Sequence, residues 1–254
     1  MAQVVRSELL SAHGFAHGFS TRVGGVSAAP FGTLNFGRVL GDDPAAVAEN
    51  HARLARSVGY AVERLFETSQ VHGVAVRRVA GDESVEAIRS EDADALVSAA
   101  PGVVVGVRTA DCIPVLVGCL DTGAVAAIHA GWRGVVEGVV PEGVHALLRA
   151  GGRPDRLVAA IGPCIRAASF EVGDDVAARS AAAAPGVEVI LPRAPRAHVD
   201  LPLAVAAQLR VLGLAPDHIE DVGHDTFAEP DMFHSHRRDA SRSGRHLSVI
   251  AVRG

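Results

Sequence analysis

The chain has 254 residues, of which 48% are apolar and 21% charged, so it carries enough apolar side chains for a large folded core and is not a disordered tail. Its formal net charge is −5, and no run of basic residues precedes the C-terminal segment, which disfavours binding to nucleic-acid phosphates. No apolar run is long enough for a membrane span or a signal peptide, so membrane insertion and secretion are also disfavoured.

Two residue counts restrict the chemistry further. The sequence contains no lysine, since all 24 basic residues are arginine. This excludes a P-loop lysine, a Schiff-base lysine and a lysine general base, and any bound anion must be held by arginine or by backbone amides. The three cysteines are widely spaced and odd in number, which indicates a reducing, cytoplasmic location rather than a disulfide framework. The apolar context of Cys119 and the turn context of Cys164 favour structural roles for both.

The first third of the chain starts with a glycine-rich loop region between Gly18 and Gly37 and then enters a helix. Asp43 and Pro44 predict where this helix begins, because Asp is a good N-cap and Pro suits the first helical position. The helix is expected to end at Val58, with one apolar face toward the core. The residues of this face are Val47, Leu54 and Val58.

The segment after this helix contains a histidine motif, a short strand and an acidic stretch. Leu65–Thr68 leads into Gln70-Val-His72-Gly, and a strand is predicted over Val74–Val79. The acidic residues from Asp82 to Asp94 predict a surface excursion.

The remainder of the chain alternates short apolar runs with segments of helical periodicity. Strands are predicted where β-branched residues are bounded by Gly, Pro or Asp. These predicted strands are Val103–Val107, Ile113–Leu120, Val125–His129, Leu157–Ile161, Val187–Leu191 and Leu247–Val252. The predicted helices are Val135–Ala150, Asp174–Ala184 and Leu201–Leu212. Because strands and helices do not alternate strictly, the predicted fold class is α+β with mixed sheets, in one domain over residues 1–254.

Three residues in or beside these elements are candidate ligands for one zinc ion. Cys112 in Ala-Asp-Cys and His129 in His-Ala-Gly-Trp-Arg-Gly each adjoin an apolar, strand-like run, which presents them at the ends of neighbouring elements. His72 supplies a second imidazole. Three protein ligands leave the fourth position of zinc open, as in catalytic sites. Spacing alone leaves open that all three are ordinary core or surface residues, because no local pattern such as HExxH joins them.

Seven sequence blocks occur in the order found in the YfiH-like family. They are Ser20-Thr-Arg-Val-Gly-Gly, Leu34-Asn-Phe-Gly, Gln70-Val-His-Gly, Thr109-Ala-Asp-Cys, His129-Ala-Gly-Trp-Arg-Gly, Gly162-Pro-Cys-Ile and Phe170-Glu-Val-Gly. From about Phe19 to the final strand the chain therefore resembles this family, which is also called laccase-domain or polyphenol oxidase proteins and, more recently, purine nucleoside phosphorylases. The resemblance implies an α/β sandwich with mixed sheets and one zinc ion held by His72, Cys112 and His129.

The resemblance also implies a reaction. Family members cleave adenosine, inosine, guanosine and methylthioadenosine with inorganic phosphate, and they deaminate adenosine. Phosphorolysis needs an anion site, for which Arg22 in its glycine loop and Arg133 before the predicted Val135 helix are the best-placed arginines. Deamination needs an activated water, which an open zinc site supplies. The residues predicted for catalysis are Arg22, Cys112 and His129, and those predicted for substrate binding are Arg22, Asn35, Arg133 and Arg237.

The chain departs from the family pattern near its end. Asp225 stands where cysteine is usual, and His234 and His236 replace aromatic residues just before Arg237. These replacements leave the three predicted zinc ligands intact, and any effect is expected on substrate preference more than on reaction class. His236 is expected to make the activity depend on pH between about 6 and 7, because histidine ordinarily titrates near about 6.5.

Two other functions remain open from the sequence. A copper-dependent polyphenol oxidase needs several paired histidines, whereas the chain has a single His-x-His, at His234 and His236. A cysteine-type amidase acting on peptidoglycan precursors would use Cys112 as nucleophile, His129 as base and Asp111 to orient the base. Metal content separates the three functions. In each of them we expect small-molecule substrates, no nucleic-acid or membrane partner, and a monomer or weak homodimer.

Overall fold

The computed structural model describes residues 1–253, in which two large β-sheets are flanked by helices. The strands are β1 Val4–Val5, β2 His17–Ser20, β3 Leu65–Phe66, β4 Val76–Val79, β5 Ala95–Ser98, β6 Val104–Thr109, β7 Ile113–Cys119, β8 Val125–Ala130, β9 Leu157–Ile161, β10 Ile190–Leu191, β11 His198–Val199, β12 Ile219–Asp221 and β13 His246–Ala251. The helices are α1 Glu8–Ala12, α2 Pro44–Val58, α3 Val85–Arg89, α4 Trp132–Glu137, α5 Val139–Arg149, α6 Asp174–Ala182, α7 Leu201–Val211 and α8 His236–Asp239.

Both large sheets are mixed. The five-stranded sheet has the order β1-β2-β13-β6-β3, and the six-stranded sheet has the order β12-β9-β7-β8-β5-β4. The pairs β3–β6, β4–β5 and β9–β12 are parallel, while the other neighbouring strands in these sheets are antiparallel. Strands β10 and β11 form a separate antiparallel pair. The predicted α+β class with mixed sheets is confirmed.

The two large sheets pack face to face, and each outer face is covered by helices. Phe19, Val105 and Leu116 belong to the apolar cluster between the sheets. Val104, the neighbour of Val105 on β6, points to the opposite face and packs with Leu54 of α2, because successive side chains of a strand alternate between faces. Helices α4 to α7 cover the outer face of the six-stranded sheet. The resulting α/β sandwich holds the ends of β7 and β8 rigidly next to each other.

Several predicted elements are found almost as expected. Helix α2 begins at Pro44, and the carboxylate of Asp43 accepts a hydrogen bond from the Ala45 amide at 2.9 Å, as the N-cap prediction requires. Strand β9 covers the predicted Leu157–Ile161. Cys119 and Cys164 are fully buried free thiols, which agrees with their predicted structural roles.

The helix predicted over Val135–Ala150 is wrong in its bounds and its continuity. The chain is already helical at Trp132, and it breaks at Gly138, whose φ of 99° lies in the left-handed region that glycine adopts readily. The Gly138 amide donates to the Gly134 carbonyl at 2.8 Å and ends α4, and α5 then starts in a new direction.

The surface excursion predicted between Asp82 and Asp94 is also wrong at its C-terminal end. This segment contains helix α3 and leads directly into strand β5, and Asp94 is completely buried. Strands β1, β2, β3, β5, β11 and β12 were not predicted. No helix within residues 1–253 is both long and apolar enough to cross a membrane.

Candidate metal centre and arginine-lined cavity

Cys112 and His129 lie side by side because β7 and β8 are antiparallel neighbours. Cys112 immediately precedes β7, and His129, the second-last residue of β8, pairs with Pro114 of β7. The predicted placement of Cys112 and His129 at the ends of neighbouring elements is therefore confirmed. His72 follows Gln70, whose side-chain amide exchanges two hydrogen bonds with the Arg108 backbone, at 2.7 and 2.8 Å. These bonds attach the histidine loop to β6.

The side chains of His72, Cys112 and His129 converge on one point. Their ligand atoms all lie within 4.8 Å of one another, and His72 Nε2 is 3.8 Å from Cys112 Sγ. In a tetrahedral zinc site, bonds of about 2.3 Å to sulfur and about 2.0–2.1 Å to nitrogen separate these atoms by roughly 3.5 Å. Within residues 1–253 no other group of three or more His, Cys, Asp or Glu side chains converges in this way. The donor set and its spacing fit one zinc ion with an open fourth position.

A glycine leaves room for this convergence. A Cβ atom placed on Gly131 would lie 2.8 Å from His72 Cδ2 and 3.1 Å from Cys112 Sγ. The ligand His72 and Asp111, which precedes Cys112, also have unusual backbone conformations. Their φ angles of 61° and 82° lie in the left-handed region that non-glycine residues rarely occupy. Strained backbone of this kind clusters at functional sites, where the surrounding structure holds it in place.

Asp94 positions both histidines from behind. Its carboxylate is 2.7 Å from His129 Nδ1, which leaves Nε2 of His129 to face the cluster. It also accepts backbone amide hydrogen bonds from Val71, His72 and Gly73 at 3.2, 2.9 and 2.7 Å. A carboxylate that receives the second ring nitrogen of a histidine fixes the ring orientation, as is usual for histidines that bind metals.

The same contacts set the charges of Cys112 and His129. Burial raises the pKa of the Cys112 thiol, but the neighbouring His129 charge and its hydrogen bond outweigh burial and lower that pKa. Burial lowers the pKa of His129, but Cys112 and Asp94 outweigh burial and raise it. Without a metal these shifts favour a thiolate at Cys112 beside a protonated His129, and a metal that binds His129 Nε2 displaces that proton.

The cluster lies on the wall of a cavity of about 740 Å³, a size typical of small-molecule sites. Five arginines and no Asp or Glu are among the residues that line this cavity within the described chain. The arginines are Arg38, Arg89, Arg108, Arg133 and Arg245. Such a lining attracts anions and repels cations.

Comparisons with known proteins identify the family of this chain. A family model described as "Multi-copper polyphenol oxidoreductase laccase" matches residues 16–253. The chain belongs to this laccase-type family. It is 41% identical over 236 residues to a "Purine nucleoside phosphorylase" of Deinococcus radiodurans, which covers 93% of this chain and 88% of that protein. It is 40% identical over 235 residues to "Purine nucleoside phosphorylase YfiH" of Shigella flexneri, with 91% of each chain covered. The resemblance to the YfiH-like family is confirmed.

Solved structures support the same assignment. The YfiH protein of Bacillus licheniformis superposes with a TM-score of 0.92 at 26% identity, covering 100% of this chain and 97% of that one. YlmD of Geobacillus stearothermophilus superposes with a TM-score of 0.90 at 30% identity, covering 98% and 94%. The α/β sandwich is therefore the fold of this laccase-type family.

Two further residues predicted from the sequence, Arg133 and His236, line the cavity. Arg133 is the second residue of α4, and its guanidinium carbon lies 4.7 Å from the ring centre of Trp132. His236 is exposed, and its Nδ1 is 3.2 Å from the Ala240 carbonyl oxygen. Since α4 has only six residues, Arg133 serves as a side-chain cation and not as part of a long helix dipole.

Arg22 and Asn35 do not line the cavity, because both side chains are used within the protein. Nη1 of Arg22 donates to the Pro230 carbonyl at 2.8 Å. Asn35 is fully buried, and its Oδ1 accepts from the amides of Gly37 and Arg245, both at 2.8 Å. Asn35 thus holds two cavity-lining residues in place. Direct substrate contact by Arg22 or Asn35 stays a prediction.

Arg237 also lies off the cavity wall. Its guanidinium donates to the Glu171 carbonyl at 2.9 Å and lies over the Phe170 ring at 5.4 Å. Its backbone amide donates to the Asp111 carboxylate at 2.6 Å, and Thr226 donates to the same carboxylate at 2.7 Å. Asp111 is therefore a structural link between the Cys112 strand and the C-terminal segment, while Asp94 orients His129.

The other departures from the family pattern also have structural partners. Asp225 accepts hydrogen bonds from the Ser169 hydroxyl at 2.7 Å and the Phe227 amide at 2.9 Å. His234 is fully buried, with Nε2 at 3.2 Å from the Leu34 carbonyl oxygen. Neither side chain lines the cavity.

Sequence reasoning missed five residues of this site. They are Asp94 behind the histidines and Arg38, Arg89, Arg108 and Arg245 on the cavity wall. A signal for Asp94 was present, because it directly precedes the apolar run of β5, as Asp111 and Cys112 precede β7. The arginines come from separate segments, and no local motif joins them.

Proposed function

We propose that this chain is a zinc-dependent purine nucleoside phosphorylase. Its proposed substrates are adenosine, inosine, guanosine and methylthioadenosine, which it cleaves with inorganic phosphate, and it also deaminates adenosine. The observation that carries the proposal is the convergence of His72, Cys112 and His129 on an arginine-lined cavity to which residues 1–253 contribute no carboxylate. The names of the relatives from Deinococcus radiodurans and Shigella flexneri support the reaction class.

The proposed cofactor is one zinc ion per chain, held by His72, Cys112 and His129. When bound, zinc supplies a Lewis acid and an activated water at an open coordination position. Asp94 keeps the His129 ring oriented, and its three amide contacts hold the loop that carries His72. The ligand geometry is thus fixed by rigid elements and not by the ion alone.

The arginines supply what phosphorolysis requires of the protein. Inorganic phosphate is an anion, and the cavity offers guanidinium groups that form bidentate hydrogen bonds with it. Arg245 has no carboxylate partner: its Nη1 donates to the carbonyls of Ser243 and Gly244 at 2.9 Å. Arg133 presents a further cation near the metal ligands, since both it and Cys112 line the cavity. Asn35 contributes by holding Arg245.

Arg22 and Arg237 are proposed to act on substrate through the segments they hold. Arg22 fixes the carbonyl of Pro230, upstream of the segment that carries His236. The Arg237 guanidinium holds the Glu171 carbonyl and the Phe170 ring, and these side-chain contacts keep in place the segment whose Arg237 backbone amide donates to Asp111, the residue before Cys112. Arg22→Ala and Arg237→Ala are expected to lower kcat/KM through altered positioning, with zinc content retained. A rise in the nucleoside KM alone would indicate direct contact instead.

The proposed partners are small-molecule nucleosides, and the proposed state is a monomer or weak homodimer in the cytoplasm. A reducing compartment suits the site, because Cys112 must remain a reduced thiolate to bind a metal. The formal charge of −5 disfavours a nucleic-acid partner.

The test is a panel of the four nucleosides with and without phosphate, with released bases separated by chromatography and metal content measured on the same protein. Cys112→Ala and His129→Ala are expected to lose the zinc and at least about 100-fold in kcat/KM. His145→Ala is a matched control, because His145 is exposed on α5. Phosphate-dependent base release that persists in Cys112→Ala would contradict the proposal.

A second candidate function is a cysteine-type amidase. The observation that favours it is the Cys112–His129–Asp94 arrangement, in which a thiolate, an imidazolium and an orienting carboxylate are aligned as in cysteine hydrolases. Asp94 takes the orienting role that the sequence had assigned to Asp111. A metal chelator separates the two functions, because it abolishes zinc-dependent phosphorolysis and spares or increases amide hydrolysis by a free thiolate.

Copper-dependent phenol oxidation receives less support. Such an oxidase needs paired histidine ligands, and in the described residues His234 and His236 do not form one ligand group. His234 is buried against the Leu34 carbonyl, while His236 faces the cavity. The one convergent group holds three ligands, which suits one ion. Several copper ions per chain in freshly purified protein would reverse this ranking.

A further inference from the structure

The cavity carries more positive charge than its surroundings neutralise. Glu67, buried behind it with 1% of its side chain exposed, is ion-paired with Arg38 at 3.1 Å and Arg108 at 3.0 Å. Burial raises the pKa of Glu67, but the charge of Arg108 and its neighbours outweighs burial and lowers that pKa to about 2, so the carboxylate is ionised. One negative charge is thus shared by two arginines, and the remaining arginines of the cavity have no close carboxylate except at Arg89.

Among the cavity arginines, Arg89 is the one with a buried donor that lacks an acceptor within residues 1–253. Its Nε–H is buried and has no hydrogen-bond acceptor in the protein. Its single ion pair, with Glu86, is 3.8 Å long and involves a carboxylate that is 79% exposed, so solvent screens it strongly. Buried donors almost always have a partner, and one that lacks it in the protein requires a water or an anion.

Arg38 faces the same space with free donors. Its hydrogen bonds within residues 1–253 all involve Nη2, which contacts Glu67 and His51 at 3.1 Å. Nε and Nη1 therefore remain for a ligand. Arg38 and Arg89 both line the main cavity and a smaller adjoining cavity of about 230 Å³, which none of the three metal ligands lines. The Glu86 carboxylate lines only the smaller cavity, so an anion is favoured on the main-cavity side of the two arginines.

The geometry points to a phosphoryl-binding subsite formed by Arg89 and Arg38, occupied by the inorganic phosphate that serves as co-substrate. This inference rests on the proposed phosphorylase function. Two guanidinium groups side by side repel each other, and a phosphate between them replaces that repulsion with charge-assisted, bidentate hydrogen bonds. Arg89 brings to the subsite a guanidinium without a hydrogen-bond acceptor in residues 1–253, and the subsite differs from the positions first predicted, Arg22 and Arg133.

The subsite is tested by the phosphate dependence of inosine cleavage and by calorimetric titration of the zinc-loaded protein with inorganic phosphate alone. Arg89→Ala is expected to raise both the phosphate KM and the phosphate Kd by about tenfold or more. The inosine KM, the zinc content and the Tm stay close to the parent values. Arg89→Lys does not restore phosphate binding, because an ammonium lacks the planar fork. Arg149→Ala, at an exposed position of α5, serves as the control with parental constants.

The possible outcomes separate this inference from the proposed function. If the parent fails to cleave inosine with phosphate, the proposed function fails, and the calorimetric arm still decides the subsite. Unchanged phosphate binding in Arg89→Ala overturns the subsite. A third arm titrates a purine nucleoside 5′-monophosphate. The co-substrate assignment is overturned if the parent binds this ester but not inorganic phosphate, and Arg89→Ala does not bind the ester. The subsite would then be one for the phosphoryl group of an ester.

Discussion

His129 and His246 are equally buried, each with 3% of its surface exposed, yet their environments favour opposite charge states. Around His129 the Cys112 thiolate and the Asp94 carboxylate outweigh burial and raise the pKa of the imidazole. Around His246 burial dominates and lowers the pKa to about 4, because its contacts are backbone groups without net charge. Burial alone therefore does not decide the charge of a histidine; the partner groups decide it.

The same contrast extends to the residues around each histidine. At the candidate metal centre both carboxylate oxygens of Asp94 and Nδ1 of His129 are hydrogen-bonded, which holds the His129 ring in one orientation. Near the C-terminus, His246 Nε2 accepts from the His234 amide at 2.8 Å, while Nδ1 of both His234 and His246 lacks a partner. The candidate metal centre favours charged ligand groups, whereas the region around His246 stabilises the fold only while His234 and His246 remain neutral.

The largest effect is expected from removing the charge at the metal centre. Asp94→Asn keeps the size of the side chain but removes the carboxylate that fixes His129 and accepts three loop amides. We expect metal affinity and kcat/KM to fall about 100-fold and the free energy of unfolding to fall by about 3 kcal/mol. Metal analysis, kinetics and urea unfolding measure these changes. Asp155→Asn, at a side chain that is 70% exposed, is the control. Retention of zinc and activity in Asp94→Asn would show that the difference in charge state between His129 and His246 has no consequence for function.

The second-largest effect is expected from filling the space between the metal ligands. Gly131→Ala adds a methyl group 2.8 Å from His72 and is expected to lower zinc occupancy and kcat/KM by about tenfold, because the ligand side chains must separate. Gly173→Ala is a close control, since Gly131 and Gly173 have nearly the same backbone, with φ of −71° and −73°, and both precede a helix. Equal behaviour of the two variants would show that contact with the ligands is not what constrains Gly131.

The third prediction concerns acid stability. The pKa of His246 is lowered from an ordinary value of 6.5 to about 4, so the unfolded chain binds the proton more readily than the native one. The stabilisation is complete above about pH 6.5 and is lost as pH falls toward 4, by about 3 kcal/mol for this group. Urea unfolding at several pH values should show the loss in the parent. His246→Gln, which retains an acceptor for the His234 amide, should show a shallower slope with pH, whereas an unchanged slope would contradict the neutral state of His246.

The smallest effect is expected at His236. His236→Phe restores an aromatic residue on the cavity wall and leaves the metal centre and the arginines in place. We expect kcat/KM for inosine to change by less than about threefold near pH 8, because the metal ligands and the cavity arginines are unchanged, and the pH profile tests the pH dependence predicted from the sequence. Superimposable pH profiles of parent and variant would remove His236 from the reaction.

The sequence predicted those features that depend on neighbouring residues. Helix α2 was predicted because its start is encoded by Asp43 and Pro44, and β9 because its apolar run is bounded by turn residues. The adjacency of Cys112 and His129 followed from two short apolar runs that were expected to pair. In each case a local signal and the final structure agree.

Features that depend on distant contacts were missed. Asp94 ends an acidic stretch typical of surface loops, and its burial is favourable because of contacts with His129, 35 residues away, and with the loop amides of Val71, His72 and Gly73. The apolar periodicity on both sides of Gly138 concealed the break between α4 and α5, because glycine inside a helical pattern does not reveal its own backbone conformation. Arg38 and Arg89 come from a loop and a five-residue helix, and the sheets bring them together.

Trp132 gives this cavity an optical reporter. It is the single tryptophan of the chain, and its indole lies against the guanidinium of Arg133, which lines the cavity. A ligand that draws Arg133 away from the ring changes the local field and the quenching of the indole, so emission intensity or wavelength responds to occupancy. Because no other tryptophan contributes, a fluorescence titration on the unmodified protein reads the state of this one wall, and stopped-flow mixing gives the rate at which ligands arrive there.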